Sequence, residues 1–354
     1  MTSTTGTTTD PGAVVDLLRS LIDIDSTSEH EHAIGVFLAD HMRSLGYAAE
    51  RIAIAPSSAR HNMYAYLGAR REARLLVTAH MDTVPPHIPF SVDPDDGDVI
   101  RGRGACDDLG PLAAQIFAVE ELRAEGKVGD GDVGFLFVVG EEKGGPGMLA
   151  ANDMGLGWES GIFAEPTEGR LGKGHKGNLV FEVVAHGKAC HSGYPHLGKS
   201  ATLLLINALN DLSAVEWPVS DLLGSSTLNI GKIEGGEGYN ILAPHAKALC
   251  SIRVARDLDE IKSKVSGALA GHPDVELRFM FEYPETLLDW DFEGFESAPM
   301  AYGTDIPRLR GSHRKVLYGP GSIHVAHGKD EQIRISELME SIGGYKRLAT
   351  YLLR

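Results

Sequence analysis

The sequence predicts an α/β protein with a mixed, largely parallel sheet, into which a smaller β-α-β-β-α-β domain is inserted. Three observations carry that prediction. Short apolar runs alternate with helical periodicities along the first part of the chain, the pattern of βα units. His, Asp and Glu gather just past the ends of those runs, where open α/β sheets bind ligands. Between residues 178 and 284 the order changes to strand, helix, strand, strand, helix, strand, a ferredoxin-like arrangement.

Taken in order, residues 12–22 place Val14, Val15, Leu18, Leu21 and Ile22 at helical spacing behind Asp10 and Pro11, two residues that start helices well. A second helix is expected over 30–45, stopping near Gly46. Arg74 to Thr78 reads as a buried strand whose end carries His80. A helix follows Gly110 and Pro111 to Glu125, and Val133 to Val139 is a buried strand ending at Glu141 and Glu142. The inserted domain is read as strands over 179–185, 227–233, 245–254 and 275–281, with helices over 200–212 and 258–270. Its crossings fall at Gly174-His175-Lys176-Gly177 and Tyr283-Pro284-Glu285. The expected domains are therefore 1–177 with 285–354, and 178–284 between them. Val316 to Arg354 adds a short strand, a glycine loop and a terminal helix to the first domain.

With 354 residues the chain can build two cores, and its 43% apolar and 23% charged residues disfavour collagen-like, coiled-coil and mostly disordered classes. Lys and Arg number 33 against 49 Asp and Glu, and the resulting charge of −16 opposes binding to nucleic acid or to anionic membranes. No apolar run reaches the roughly 18 residues of a membrane span. Three cysteines, Cys106, Cys190 and Cys250, make no disulfide framework and fit a reducing compartment, so a cytoplasmic address is expected. Met1 to Asp10, rich in Thr and Ser with neither a basic nor an apolar region, reads as a disordered tail rather than a secretory signal.

Five motifs carry chemistry. His80-Met81-Asp82 follows a buried strand, and alternation would let Asp82 accept one imidazole N–H while the other nitrogen binds a metal. Gly102-Arg103-Gly104-Ala105-Cys106-Asp107-Asp108-Leu109-Gly110 feeds a helix; two carboxylates there would repel a phosphate, so they suit a cation or serve as N-caps. Gly140-Glu141-Glu142-Lys143-Gly144-Gly145 offers adjacent acids, one for a metal and one free as a base, or merely a solvated pair. Phe163-Ala164-Glu165-Pro166-Thr167 closes another apolar stretch, and Gly319 to Glu331 contains His324 and His327. Two histidines with three carboxylates form an O/N donor set for a pair of zinc-like ions.

In these motifs and their order, from residue 12 to the C-terminus, the sequence resembles the zinc-dependent aminoacylase and exopeptidase superfamily. That superfamily includes acetylornithine deacetylase, succinyl-diaminopimelate desuccinylase and glutamate-releasing carboxypeptidases. The resemblance implies a di-zinc catalytic domain, with Co2+ or Mn2+ as possible substitutes. It implies that His80, oriented by Asp82, and Glu165 hold one metal, that Asp107 bridges, and that Glu142 and His327 complete the second site. Glu141 would be the general base. The inserted domain would serve for dimerisation or as a lid, with His191 in Cys190-His191-Ser192-Gly193 lending a donor to the neighbouring subunit, and a homodimer is expected. Asn240 and Arg253 would hold the substrate near its carboxylate.

The chain departs from the family at Leu109, where a Lys is usual, and has Pro111 after the glycine. Chemistry alone leaves His324 and His327 open as the last ligand; the resemblance implies His327, which stands directly before Gly328-Lys329-Asp330-Glu331 as in the family pattern. Cys106 and Cys190 are read as packing residues rather than nucleophiles. The acidic run Glu285, Asp289, Asp291 and Glu293 is read as a solvated loop, with attraction of a cationic side chain as the alternative. Ala164 to Glu168, Gly174 to Gly177 and Gly319 to Gly321 look most like acetylornithine deacetylase, so the leading expectation is an N-acyl-amino-acid deacylase of amino-acid biosynthesis. A metallo-dipeptidase or carboxypeptidase is the runner-up, because the same metal centre cleaves a peptide bond equally well.

Overall fold

Helix α1 (Pro11–Ile22) begins where the Asp10 side chain accepts the Gly12 N–H, and it buries Val14, Leu17, Leu18, Leu21 and Ile22 on one face. The computed structural model describes residues 9–56 and 58–354. The tail expected at the N-terminus lies outside the described residues as far as residue 8. Among the described residues no helix is long and apolar enough to cross a membrane.

The chain divides into two compact units. The first runs up to Gly172 and resumes over Leu288–Ala298 and Thr304–Arg354. Its elements are α1, α2 (His32–Ser44), β1 (Ala48–Ala53), β2 (His61–Tyr66), β3 (Leu75–His80), α3 (Leu109–Ala124), β4 (Val133–Val138) and β5 (Ser160–Phe163). After the second unit come β10 (Arg314–Leu317) and α6 (Ile335–Leu352).

A six-stranded sheet in the order β1-β2-β4-β3-β5-β10 forms the centre of this unit. The β4, β3, β5 and β10 strands are parallel, and β1 and β2 add to the β4 edge in antiparallel sense. All six residues of β3 and of β4 are buried, as befits parallel strands covered on both faces. Helices α1, α3 and α6 pack together, and α2 lies against β1 and β2. The sheet is thus mixed and mostly parallel, as expected. The antiparallel strands β1 and β2 were not expected; Ala48–Ala53 is half-exposed throughout and has no apolar run to announce it.

The second unit comprises Lys173–Leu287 and Pro299–Gly303. Residues 173–177, 285–287 and 299–303, read from the sequence as part of the first domain, thus pack with the second. Backbone pairing is the reason: Thr286 and Leu287 pair with His175 and Gly174, and the Lys176 N–H bonds the Met300 carbonyl. Here β6 (Gly177–His186), α4 (Ala201–Ser213), β7 (Thr227–Gly235), β8 (His245–Val254), α5 (Leu258–Leu269) and β9 (Val275–Tyr283) follow one another. The sheet order β7-β8-β6-β9, antiparallel throughout, is the split βαβ arrangement. Alternate residues of β6 and β8 are buried and join Leu205, Leu209 and Leu212 of α4 and Ile261 and Val265 of α5 in a second core.

Candidate metal centre

The parallel register aligns the strand ends that carry the acids and histidine. His80 stands opposite Val138 of β4, and Thr78 opposite Phe163 of β5, so the residues leaving β3, β4 and β5 emerge side by side. Past β4, Gly140 at φ +74° turns the chain into the short helix Glu141–Lys143. Past β5, Ala164 leads to Glu165. The loop from Gly319 lies so close that a Cβ on Gly319 would stand 2.4 Å from the Glu165 carbonyl oxygen, which only glycine permits. The loop before α3 delivers Asp107, whose peptide bond to Asp108 is cis.

These elements bring His80, Asp107, Glu142, Glu165 and His327 together. Donor atoms of His80, Asp107 and Glu165 lie within 4.8 Å of one another, and so do those of Asp107, Glu142 and His327. Asp107 belongs to both groups and divides its oxygens between them: Oδ1 is 3.0 Å from His80 Nε2, and Oδ2 is 3.2 Å from His327 Nε2. His327 Nε2 is also 2.9 Å from Glu142 Oε1. His324 is in neither group.

The donor set fits divalent cations. His80 Nδ1 lies 2.8 Å from the Asp82 carbonyl oxygen, which can only accept, so Nδ1 carries a proton and Nε2 offers a lone pair. A lone pair and a carboxylate oxygen 3.0 Å apart require a cation or a proton between them. Burial opposes the charged form of His80, yet Asp107, Asp108 and Asp82 outweigh it and raise its pKa well above the ordinary value. Hydrogen bonds to Asp107 and Glu142 push His327 up to about 10. Burial also opposes ionisation of Asp107, but the two histidines hold it below the usual carboxylate range. Imidazoles and carboxylates of this kind suit zinc-like ions.

Asp82 acts differently from the expectation. Its carboxylate is 3.8 Å from His80 Nδ1, and the backbone carbonyl takes the ring proton instead. Strand β3 stops at His80, so the alternation that would place both side chains on one face no longer applies. The fully buried carboxylate instead accepts the backbone N–H groups of Glu141 (3.0 Å) and Glu142 (3.3 Å) and the Ser28 hydroxyl (2.9 Å). It ties the His80 strand to the Glu141 turn.

Burial pushes the Glu141 carboxyl well above the usual range, and the charge of Asp305 adds to this. Asp305 was not singled out in the sequence, and Asp108 only as one of two carboxylates suited to a cation or to capping the helix, although its side chain makes no cap bond. Asp108 is buried and accepts the His80 N–H at 3.2 Å. Asp305 is also buried, pairs with Arg308 at 3.1 Å, and lines a small cavity with His80, Glu141 and Glu165. Neither sits in a periodic pattern that would mark it. Burial keeps the Cys106 thiol far above its ordinary pKa, which suits packing rather than nucleophilic attack.

In the second unit, His191 is exposed, and its Nδ1 accepts the Gly193 N–H at 3.1 Å, which leaves Nε2–H as a donor in the neutral ring. Asn240 is exposed in the loop before β8, and exposed Arg253 lies near the end of β8 opposite Asn178 and Thr227.

A model of the family described as Peptidase family M20/M25/M40 matches residues 76–351. The chain belongs to this family. The M20 chain is 46% identical over 345 residues to a peptidase M20 domain-containing protein of Schizosaccharomyces pombe, covering 96% of this chain and 85% of that protein. It is 39% identical over 369 residues to a probable carboxypeptidase of Aspergillus flavus, covering 93% and 85%. A solved tripeptidase from Staphylococcus aureus shares its fold, with a TM-score of 0.82 at 22% identity over 98% of this chain and 100% of that one. The superfamily expected from the motifs and the α/β fold both hold, and the M20 protein is a hydrolase of a peptidase family.

Proposed function

We propose that this protein is a metal-dependent exopeptidase that removes the C-terminal residue of short peptides. The observation that carries the reading is Asp107, which turns one carboxylate oxygen to His80 and the other to His327 beside the backbone-anchored Glu141. The curated relatives named as probable carboxypeptidases add support for peptide rather than acyl cleavage. The acetylornithine deacetylase reading from the sequence has no comparable support.

In this reading His80, Asp107 and Glu165 would hold one cation, and Asp107, Glu142 and His327 a second, with zinc the natural candidate for both. When bound, the cations supply Lewis acidity to the scissile carbonyl and to the attacking water. Glu141 takes a proton from the water onto its carboxylate and delivers it to the leaving amine. Asp82 fixes the Glu141 backbone and so the aim of that carboxylate. The family resemblance gives Arg253 and Asn240 the terminal carboxylate of the substrate, and gives His191 the developing oxyanion in the partner subunit of a homodimer.

Product release from zinc- or cobalt-loaded protein should be followed across dipeptides, tripeptides, N-blocked peptides with a free C-terminus, and acetylornithine. We expect kcat/KM for the peptides with free C-termini to exceed that for acetylornithine by at least about 100-fold. Selective cleavage of acetylornithine would instead restore the deacylase reading. For His191, mixing His191→Ala subunits with Glu141→Gln subunits is expected to regain part of the activity. Mixed dimers without recovery would rule out action across subunits.

A further inference from the structure

Glu331 has no place in the chemistry above, yet it is almost wholly buried and its side chain bonds the backbone of the Asp107 loop. Oε1 accepts the backbone N–H groups of Gly104 at 2.9 Å and of Cys106 and Asp107 at 3.4 Å each. Oε2 receives Nη1 of Arg103 at 2.5 Å, and that guanidinium is itself buried. The Glu331 carbonyl accepts the Gly102 N–H at 3.2 Å, so main chain and side chain grip the same loop.

The other end of this arrangement is the His327 loop. Glu331 follows His327 by four residues, and Arg103 Nη2 lies 3.5 Å from the His327 carbonyl. A further tie is close packing: Gly321, at φ +77°, comes so near Cys106 that a Cβ there would stand 2.6 Å from the Cys106 Cβ. Asp107 and His327 are far apart in sequence and come from irregular loops. The short antiparallel pairing of Val99–Arg101 with Gln332–Arg334 stops where these loops begin, so beyond it loop contacts set their separation, whereas His80 and Glu165 leave neighbouring strands of one sheet.

We infer that Glu331, held by Arg103, is a positioning residue that sets Asp107 and His327 relative to each other. The inference rests on the metal-centre reading above. A negative carboxylate suits this task because it can accept three converging N–H groups at once, and charge-assisted bonds are shorter and stronger than neutral ones. Arg103 supplies the compensating charge that a buried carboxylate needs. Groups that orient metal ligands in this way typically contribute 10- to 100-fold in metal affinity.

The test is titration of the metal-free full-length protein with Co2+, reading stoichiometry and affinity from the visible spectrum, with melting temperature measured in parallel. Wild type should bind two Co2+. Glu331→Gln keeps the shape but strands the Arg103 charge, and its affinity for at least one Co2+ should fall about 10-fold or more. The double variant Arg103→Met/Glu331→Gln removes the stranded charge while keeping an amide oxygen for the three N–H groups, and it should recover most of that loss. Its recovery also serves as the readout if Glu331→Gln alone folds poorly, measured against Arg103→Met/Glu331→Met, which lacks the acceptor and, where its melting transition shows it folded, should stay weak. A lower melting temperature with wild-type Co2+ affinity in all variants would reduce Glu331 to a structural residue and overturn the inference. Failure of wild type to bind Co2+ would overturn the metal-centre reading and this inference with it.

Discussion

Glu141→Gln is expected to lower kcat for peptide cleavage by about 10²- to 10⁴-fold with little change in KM, while the protein still binds two Co2+. The substitution is close to isosteric and leaves the backbone N–H that Asp82 holds at 3.0 Å, so the turn should keep its geometry. What it removes is the capacity to accept a proton. The ligands themselves are untouched, because Glu142, not Glu141, approaches His327. Steady-state kinetics on a cleaved peptide, together with Co2+ stoichiometry, check this. Activity within about tenfold of wild type would exclude Glu141 as the base, and loss of metal would make it a ligand.

Asp107→Asn should have the other large effect, and on binding rather than on proton transfer. Asp107 is the one residue common to both donor groups, and each of its oxygens faces a histidine nitrogen. Replacing one oxygen by an amide NH2 puts a donor where a donor cannot serve, and it removes a charge that two dications would share. We expect affinity for Co2+ to fall by at least about 100-fold, the upper end of what loss of a supporting partner costs. By mass action, metal at 100 times the wild-type Kd stabilises the wild type by about 2.7 kcal/mol per site, and most of that would vanish in the variant. The melting temperatures of both proteins with and without Co2+ measure it. An equal rise in both would show that Asp107 does not hold the metal.

The sequence was most informative where local chemistry and local structure coincide. His80 and Glu165 follow apolar runs, and β3 and β5 are the strands those runs form. Asp107 and Glu142 stand in glycine-rich turns whose conformations only glycine adopts freely, as at Gly140 with φ +74°. Residue chemistry left His324 and His327 equivalent and only the family pattern favoured His327, and the structure places His327, not His324, beside Asp107 and Glu142. The half-exposed edge strand β1 gave no signal, since its residues alternate neither in polarity nor in burial.

Residue types, strand ends and the switch to a split βαβ order were determined by the sequence alone, because hydrophobic periodicity and turn chemistry act over a few residues. Tertiary structure alone decided which carboxylates converge. It set the Asp82 carbonyl, rather than its carboxylate, against His80, brought Asp108 beneath the same residue, and placed Asp305 beside Glu141. It also paired Arg103 with Glu331 across the fold. Such pairs are selected by the cost of burying an uncompensated charge, and that cost depends on the packed surroundings rather than on any local pattern.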